Sequence, residues 1–111
     1  MATGVINRVA IHEGSAPGAN SDILASALVP SKAAAYRITV QLAVGSIFNV
    51  MVGKTGNTTI ACALNSKTAL TAGALYTFTM GVDSDQTYNF QLSVDSVIDV
   101  LQVDEVTGGV I

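Results

Sequence analysis

The sequence predicts an all-β protein, an antiparallel β-sandwich that is jelly-roll-like and has about eight strands. Apolar and polar residues alternate in several short runs, which is the period of a strand with one buried face. Turn-forming residues separate these runs at intervals of roughly 10–12 residues. Because no segment has a convincing helical period, the pattern favours a sandwich or jelly roll over a parallel α/β fold.

The composition indicates a single domain with an unusually apolar surface. The chain has 111 residues, of which 50% are hydrophobic and only 12% are charged. Soluble domains typically contain about 25% charged residues. Burial of surface against other subunits explains this excess better than a large apolar area left in water.

Charge and cysteine content argue against several classes of protein. Five basic and eight acidic residues, scattered singly, give a net charge of −3, whereas nucleic-acid binding needs a basic stripe. The single cysteine, Cys62, excludes an intrachain disulfide framework, and its shared parity with Ile60 and Leu64 predicts a buried side chain. No apolar run reaches the ~18 residues of a membrane helix, and no signal pattern opens the chain. We therefore expect a protein with no nucleic-acid or membrane partner, kept in a cytoplasm at least until assembly.

The strongest local pattern lies between residues 76 and 94. Two alternating runs, 76–82 and 88–94, flank the polar turn 83–85, and together they predict a β-hairpin. One face of that hairpin carries four of the six aromatic residues: Tyr76, Phe78, Tyr88 and Phe90. Such a face needs a second sheet to cover it.

The N-terminal part of the chain is less regular. Residues 3–13 alternate imperfectly, and the break near Asn7 and Arg8 predicts a bulge, an edge strand or an arm. A loop rich in turn formers follows at 14–20. Residues 21–29 fit either a short helix or a strand that ends before Pro30, and the all-β surroundings favour the strand.

The middle of the chain gives clearer predictions. Residues 35–43 form the cleanest alternating run, and residues 47–52 are apolar on both faces, which predicts a central strand or one covered by a neighbouring subunit. Residues 53–57 predict a hairpin turn, with a returning strand at 58–64.

The last third completes the set of strands. Leu70 is predicted to anchor the loop 65–73, and residues 96–106 form a closing strand. We divide the chain into an N-terminal arm or edge strand (1–13), a single β-sandwich domain (14–106) and a C-terminal tail (107–111).

No catalytic, cofactor-binding or metal-binding constellation stands out. Gly53-Lys54-Thr55 resembles the end of a phosphate-binding loop, but position 48 is Phe where that loop needs glycine, so a turn is favoured. His12 beside Glu13 could form a base with its orienting carboxylate, yet no local nucleophile supports this. A surface or interface histidine is the better interpretation, and we expect no enzyme.

The acidic residues also favour ordinary roles. Asp83 and Asp85 could supply part of a calcium site, but a polar turn is the better interpretation. Four carboxylates near the closing strand are interpreted as a solvated face that protects an edge, and they are Asp95, Asp99, Asp104 and Glu105. The absence of tryptophan weakens a sugar-binding site.

Several segments together resemble small virion proteins of tailed bacteriophages, in particular the capsid decoration or cement proteins. The resemblance covers roughly positions 36–106. It is carried by Phe48-Asn49-Val50-Met51-Val52, Leu64-Asn65, Ala69-Leu70-Thr71-Ala72-Gly73 and Tyr88-Asn89-Phe90-Gln91-Leu92.

The resemblance implies a compact β-sandwich that binds the outside of a phage capsid and stabilises the shell. It implies a homotrimer at local threefold points that clamps neighbouring copies of the major capsid protein, on virions assembled in the bacterial host cytoplasm. No cofactor is implied. By this analogy residues 1–13 form the arm, and the expected assembly interface comprises Val5, Ile6, Val9, Ile11, Val110 and Ile111.

Two alternatives remain open. One is a phage tail, connector or fibre β-module, which would occur in far fewer copies per particle than a decoration protein. The other is a carbohydrate- or calcium-binding sandwich, which would need a concave face with carboxylates and an aromatic platform.

Overall fold

The computed structural model describes residues 5–15, 18–30 and 34–107. Strands account for most of these residues, and the only helical element among them is the 3₁₀ turn Asn65–Lys67. The predicted all-β class is confirmed. The strands of the described part are β1 (Val5–Ser15), β2 (Ala34–Leu42), β3 (Phe48–Gly53), β4 (Ile60–Ala63), β5 (Leu75–Val82), β6 (Thr87–Leu92) and β7 (Val97–Thr107).

The strands form two antiparallel sheets around one core. The four-stranded sheet has the order β1-β7-β2-β5, and the three-stranded sheet has the order β4-β3-β6. Alternate residues of the inner strands point into the shared layer and are buried. They include Tyr36, Ile38, Val40, Leu42, Ile98, Leu101 and Val103 from one sheet and Phe48, Val50, Tyr88, Phe90 and Leu92 from the other.

The two inner strands β2 and β3 were predicted well. The clean alternation at 35–43 corresponds to β2, and β3 is the central strand of its sheet, as its two apolar faces indicated. Inside the core, the rings of Phe48 and Phe90 stack with centroids 5.5 Å apart. The rings of Tyr36 and Tyr88 meet edge to face at 5.6 Å, so aromatic contacts join neighbouring strands and also the two sheets.

The predicted hairpin between residues 76 and 94 is wrong in its pairing. Both strands exist, but β5 pairs with β2 and β6 pairs with β3, in different sheets. The turn 83–86 carries the chain from one sheet to the other, and the Asp83 N–H donates to the Tyr88 hydroxyl at 3.0 Å. The apolar faces of β5 and β6 can both be buried because they lie on opposite sides of one core. A hairpin would have placed these two faces side by side on one sheet.

The segment 20–28 is neither the favoured strand nor the alternative helix. It runs irregularly along the outer edge of β6, where the N–H groups of Asn20 and Ile23 donate to the carbonyls of Leu92 and Phe90. Leu28 forms an isolated bridge with Tyr88. The segment therefore satisfies the edge of β6 without regular strand geometry.

The side chain of Asn89 replaces the backbone pairing that this irregular segment lacks. Its Oδ1 accepts from the Leu24 N–H at 3.0 Å, and its Nδ2 donates to the Leu24 carbonyl at 3.0 Å. The same Oδ1 accepts from the Phe90 N–H at 2.8 Å. Asn89 is only 2% exposed, so the amide contributes both a donor and an acceptor where water cannot.

Bulges explain the irregular alternation of the first and last strands. Between Ile98 and Leu101, β7 has one residue more than its neighbours β1 and β2, so residues of both parities point inward. In β1 the extra residue is Val9, between Arg8 and Ala10. The irregularity expected near residue 8 is thus a bulge, and it lies in an edge strand.

Serine hydroxyls accept hydrogen bonds from the backbone at the end of the molecule that contains the β2–β3 and β6–β7 connections. Ser93 Oγ accepts from the Ile47 N–H at 3.0 Å, and Ser46 Oγ accepts from the Val94 N–H at 3.0 Å. Ser96 Oγ accepts from the Val44 N–H at 2.9 Å. These bonds satisfy backbone groups that no strand ladder reaches.

Replacement of Asn89 by alanine tests the role of its amide. Asn89→Ala would leave the part-buried backbone groups of Leu24 without these partners, so we expect a loss of about 2 kcal/mol in the free energy of unfolding. Urea denaturation measures it. Gln91→Ala is the matched control on the same strand, because Gln91 makes only an exposed bond to Asp22, and it should cost less than about 0.5 kcal/mol. Equal effects of the two variants would contradict this role.

A second pair of variants tests the turn after β3. A Cβ on Gly53 would overlap the carbonyl oxygen of Asn57, so Gly53→Ala must displace the turn backbone. We expect a loss of about 3 kcal/mol or more in the free energy of unfolding. A Cβ on Gly81 meets nothing within 4 Å, and Gly81→Ala should be neutral or slightly stabilising. Thermal unfolding of both variants measures whether the clash at position 53 makes Gly53→Ala the less stable variant.

Candidate assembly surface

A row of three charged side chains crosses the outer face of the four-stranded sheet. The strand register places Arg8 of β1 opposite Asp104 of β7, and Asp104 opposite Arg37 of β2. Arg8 Nε donates to Asp104 Oδ1 at 3.1 Å, and Arg37 Nη2 donates to Asp104 Oδ2 at 3.1 Å. One carboxylate thus connects three neighbouring strands, because each of its oxygens accepts from a different arginine.

The arginines determine the protonation of this carboxylate. The Asp104 side chain is 8% exposed, whereas those of Arg8 and Arg37 are 52% and 42% exposed. Burial acts to raise the pKa of Asp104, but hydrogen bonds from Arg37 and Arg8, with their charges, outweigh burial and hold the pKa below its usual value. Since both guanidinium groups remain hydrated, solvent screens part of their attraction.

Most other side chains on this outer face are polar and uncharged, although the exposed apolar residues Ile11 and Leu75 also lie on it. By register, the side chains around the charged row alternate with core residues of the same strands and therefore point outward. They are Thr39, Gln41, Thr77, Thr79 and Gln102. The sequence did not predict the charged row, because it joins residues that are far apart in the chain.

The interpretation of the closing strand as a solvated acidic face is wrong for two of its carboxylates. Asp104 is 6% exposed and Glu105 is 5% exposed. Glu105 lies opposite Tyr36 on the core side of β7. Burial, followed by the nearby Glu105 and Tyr88, raises the pKa of Tyr36. Parity with Leu101 and Val103 was a signal that Glu105 points inward, and the alternation rule could have found it.

The expected assembly residues are only partly described. Val9 and Ile11 of β1 are 37% and 56% exposed, so both are available at the edge of the four-stranded sheet. Val5 and Ile6 lie within β1, but their side chains are outside the described part of the structure. Val110 and Ile111 lie outside the described residues altogether.

The prediction that Cys62 is buried is wrong. Cys62 is exposed, and Ile60 on the same face of β4 is 63% exposed. By register Cys62 lies beside Val50, a core residue, so its side chain is on the inner face of the sheet. That face is not covered at β4, because β4 is a short edge strand that extends past the packed core.

The remaining candidate residues lie in turns and strand ends. His12 Nε2 lies 3.3 Å from the Ser15 carbonyl oxygen, and the neighbouring Glu13 is exposed. Asp83 Oδ1 accepts from the Asp85 N–H at 2.9 Å, which orders the turn between β5 and β6. The Gly53-Lys54-Thr55 segment opens the connection between β3 and β4, and the predicted hairpin is confirmed by their antiparallel pairing.

Among the described residues, no group of three or more His, Cys, Asp or Glu side chains could hold a metal ion, and no pocket forms. Nor is any helix in those ranges long and apolar enough to cross a bilayer.

No protein-family model, curated protein or solved structure matches this chain.

Acid titration tests the charged row. The pKa of Asp104 is lower in the folded than in the unfolded protein, so its contribution is complete above the unfolded value of about 4 and disappears as pH falls through the folded value. We expect Asp104→Asn to lose about 1–2 kcal/mol in the free energy of unfolding at neutral pH. The difference from wild type should shrink as pH falls below the unfolded value and through the folded one. Asp99→Asn, at an exposed position of the same strand, is the control, and a pH-independent Asp104→Asn deficit would contradict the assignment.

Proposed function

We propose that this chain is a structural virion protein that binds the outside of a phage capsid as a decoration or cement protein. The proposal begins with the resemblance of the 36–106 region to that group. The order of the strands is the structural observation that supports it best. The protein would act through surfaces alone, and no residue would perform chemistry.

The strand order favours a jelly-roll sandwich. When the 20–28 segment is counted as the second of eight strands, the larger sheet has the order 1-8-3-6 and the smaller sheet has the order 5-4-7-2. Counted in this way, the order supports a jelly roll, a double-sheet architecture found in viral capsid and lectin domains. Because one architecture serves many functions, the order supports the proposal only together with the resemblance.

The surface provides the second support. Among the side chains that the structure describes, eight large apolar ones are exposed, and two of them, Val9 and Ile11, lie on the edge strand β1. An edge strand offers backbone donors and acceptors as well as side chains. We propose that this edge contacts the major capsid protein, with Val9 and Ile11 as apolar anchors beside the charged row.

Shell stabilisation follows from the thermodynamics of binding. A ligand that binds the expanded shell better than the unexpanded one favours the expanded state by mass action. Each bound copy adds interface across the junction of neighbouring capsid subunits, and hundreds of equivalent copies would multiply a modest contribution. The homotrimer implied by the resemblance would place several such contacts around each threefold point.

The direct test is binding to purified capsid shells that lack the protein. We expect saturable co-sedimentation with expanded shells, weaker binding to unexpanded shells, and a higher melting temperature of the decorated shell. Occupancy of about a dozen copies per particle would instead support a connector. Failure to bind any shell, together with a calcium- or glycan-dependent rise in melting temperature, would support the ligand-binding alternative.

A matched pair of variants tests the proposed edge. Ile11→Ser removes an exposed apolar side chain from β1, so we expect little change in unfolding and about tenfold weaker shell binding. Val29→Ser is the control, because Val29 is exposed to a similar degree outside β1, and its binding should remain as in wild type. Shell pelleting over a range of protein concentrations measures both. Equal binding by the two variants would exclude Ile11 from the interface.

A further inference from the structure

We propose that the free edge of β5 is a self-association surface, at which β5 pairs antiparallel with β5 of a second copy of this chain. In the described part of the chain, three strand edges have no partner: those of β1, β4 and β5. A free edge exposes unpaired N–H and C=O groups and can accept a further strand. The three edges differ in how well they are protected against such pairing.

The edge of β5 lacks the usual protection. The strand makes eight consecutive pairs with β2 without a register shift, and Leu75–Val82 contains no charged residue and no proline. In contrast, β1 contains a bulge and carries Arg8 and Glu13, and β4 has only four residues. Regularity, length and neutrality therefore make β5 the edge best suited to strand addition.

The core is also incompletely covered beside this edge. On the inner face of β5, Tyr76, Phe78 and Met80 are only partly buried, although they pack against the core. Across the gap between the sheets, the inner face of β4 exposes Ile60 and Cys62. We call this region, lined by Ile60, Cys62, Tyr76, Phe78 and Met80, the open side.

The strand register aligns the two walls of the open side. Met80 lies opposite Tyr36 in one sheet, and Ile60 lies opposite Val52, which lies opposite Tyr88, in the other. Tyr36 and Tyr88 are in ring contact, so Met80 and Ile60 lie at the same level of the molecule. A partner at this side would meet an apolar strip between two strand edges.

A second copy fits this surface better than a charged partner. The chain has a net charge of −3, so a contact between two copies is least opposed where no like charges are brought close together. Neither β4 (IACA) nor β5 (LYTFTMGV) has a charged side chain. A second open side would supply both the missing strand edge and the missing apolar cover, and antiparallel pairing of identical strands generates a twofold, self-complementary contact.

This contact goes beyond the proposed function and differs from the threefold assembly that the resemblance implies. Pairing of two β5 strands would join two four-stranded sheets into one continuous sheet. It would also bring the two β4 strands towards each other and enclose both copies of Cys62. The thiol is therefore a reporter of the contact.

Sedimentation equilibrium and Cys62 alkylation over a range of concentrations test the proposal. We expect wild type to form a dimer, and the rate of alkylation to fall as the dimer forms. Thr77→Lys places a lysine on the exposed face of the edge strand, where it opposes strand pairing, and should weaken the dimer about tenfold or more. Thr39→Lys is the matched control, because Thr39 lies directly beside Thr77 on the inner strand β2, and its dimer should be unaffected.

Several outcomes would overturn the proposal. These are a wild-type protein that stays monomeric up to about 1 mM, a trimer that Thr77→Lys does not weaken, and equal weakening by both lysine variants. Circular dichroism of each variant confirms that it is folded. Shell binding by folded Thr77→Lys separates the two proposals, because binding without dimerisation overturns only this one, and dimerisation without shell binding overturns only the decoration function.

Discussion

The fold depends on one apolar layer that two sheets must cover together. The inner strands of both sheets turn an apolar face towards this layer, so neither sheet is stable without the other. Phe48 and Phe90 fill the layer from the three-stranded sheet, and Tyr36 of the four-stranded sheet meets Tyr88 across it. The connections from β2 to β3, β4 to β5, β5 to β6 and β6 to β7 each lead from one sheet to the other. Most stabilising contacts are therefore distant in sequence, and partial folding would leave aromatic surface in water.

Polar side chains perform structural tasks at places that the strand ladders do not reach. Asn89 completes the edge of β6 against an irregular segment, and serine hydroxyls satisfy the backbone where strands change sheet. Asp104 connects three strands on the outer face through its two arginines. No buried side-chain nitrogen or oxygen in the described residues lacks a hydrogen-bond partner. These groups select one register and one topology among the many that the apolar pattern would allow.

The two edge strands of the four-stranded sheet, β1 and β5, present surfaces of different character. The β1 side combines a bulged edge, two exposed apolar residues and the charged row, and such a mixed surface suits a different protein as partner. The β5 side is regular, neutral and open to the core, which suits an identical copy. The proposed capsid contact and the proposed β5 pairing lie at opposite edges of the four-stranded sheet, so the two would act without overlapping.

Sequence patterns alone determined the all-β class, the positions of β2, β3 and the hairpin turn after β3, and the inward-facing residues of β2. Those features depend on local alternation and turn chemistry, which neighbouring residues decide. The partner of β5, the irregular path of residues 20–28, the burial of Glu105 and the exposure of Cys62 depended on the tertiary structure. Alternation shows that a strand has an apolar face, but it does not show which strand lies beside it or where the opposing sheet ends. The candidate surfaces follow the same division: the interface residues of β1 were proposed from the resemblance, whereas the Arg8–Asp104–Arg37 row and the open side arise only when distant strands are brought into register.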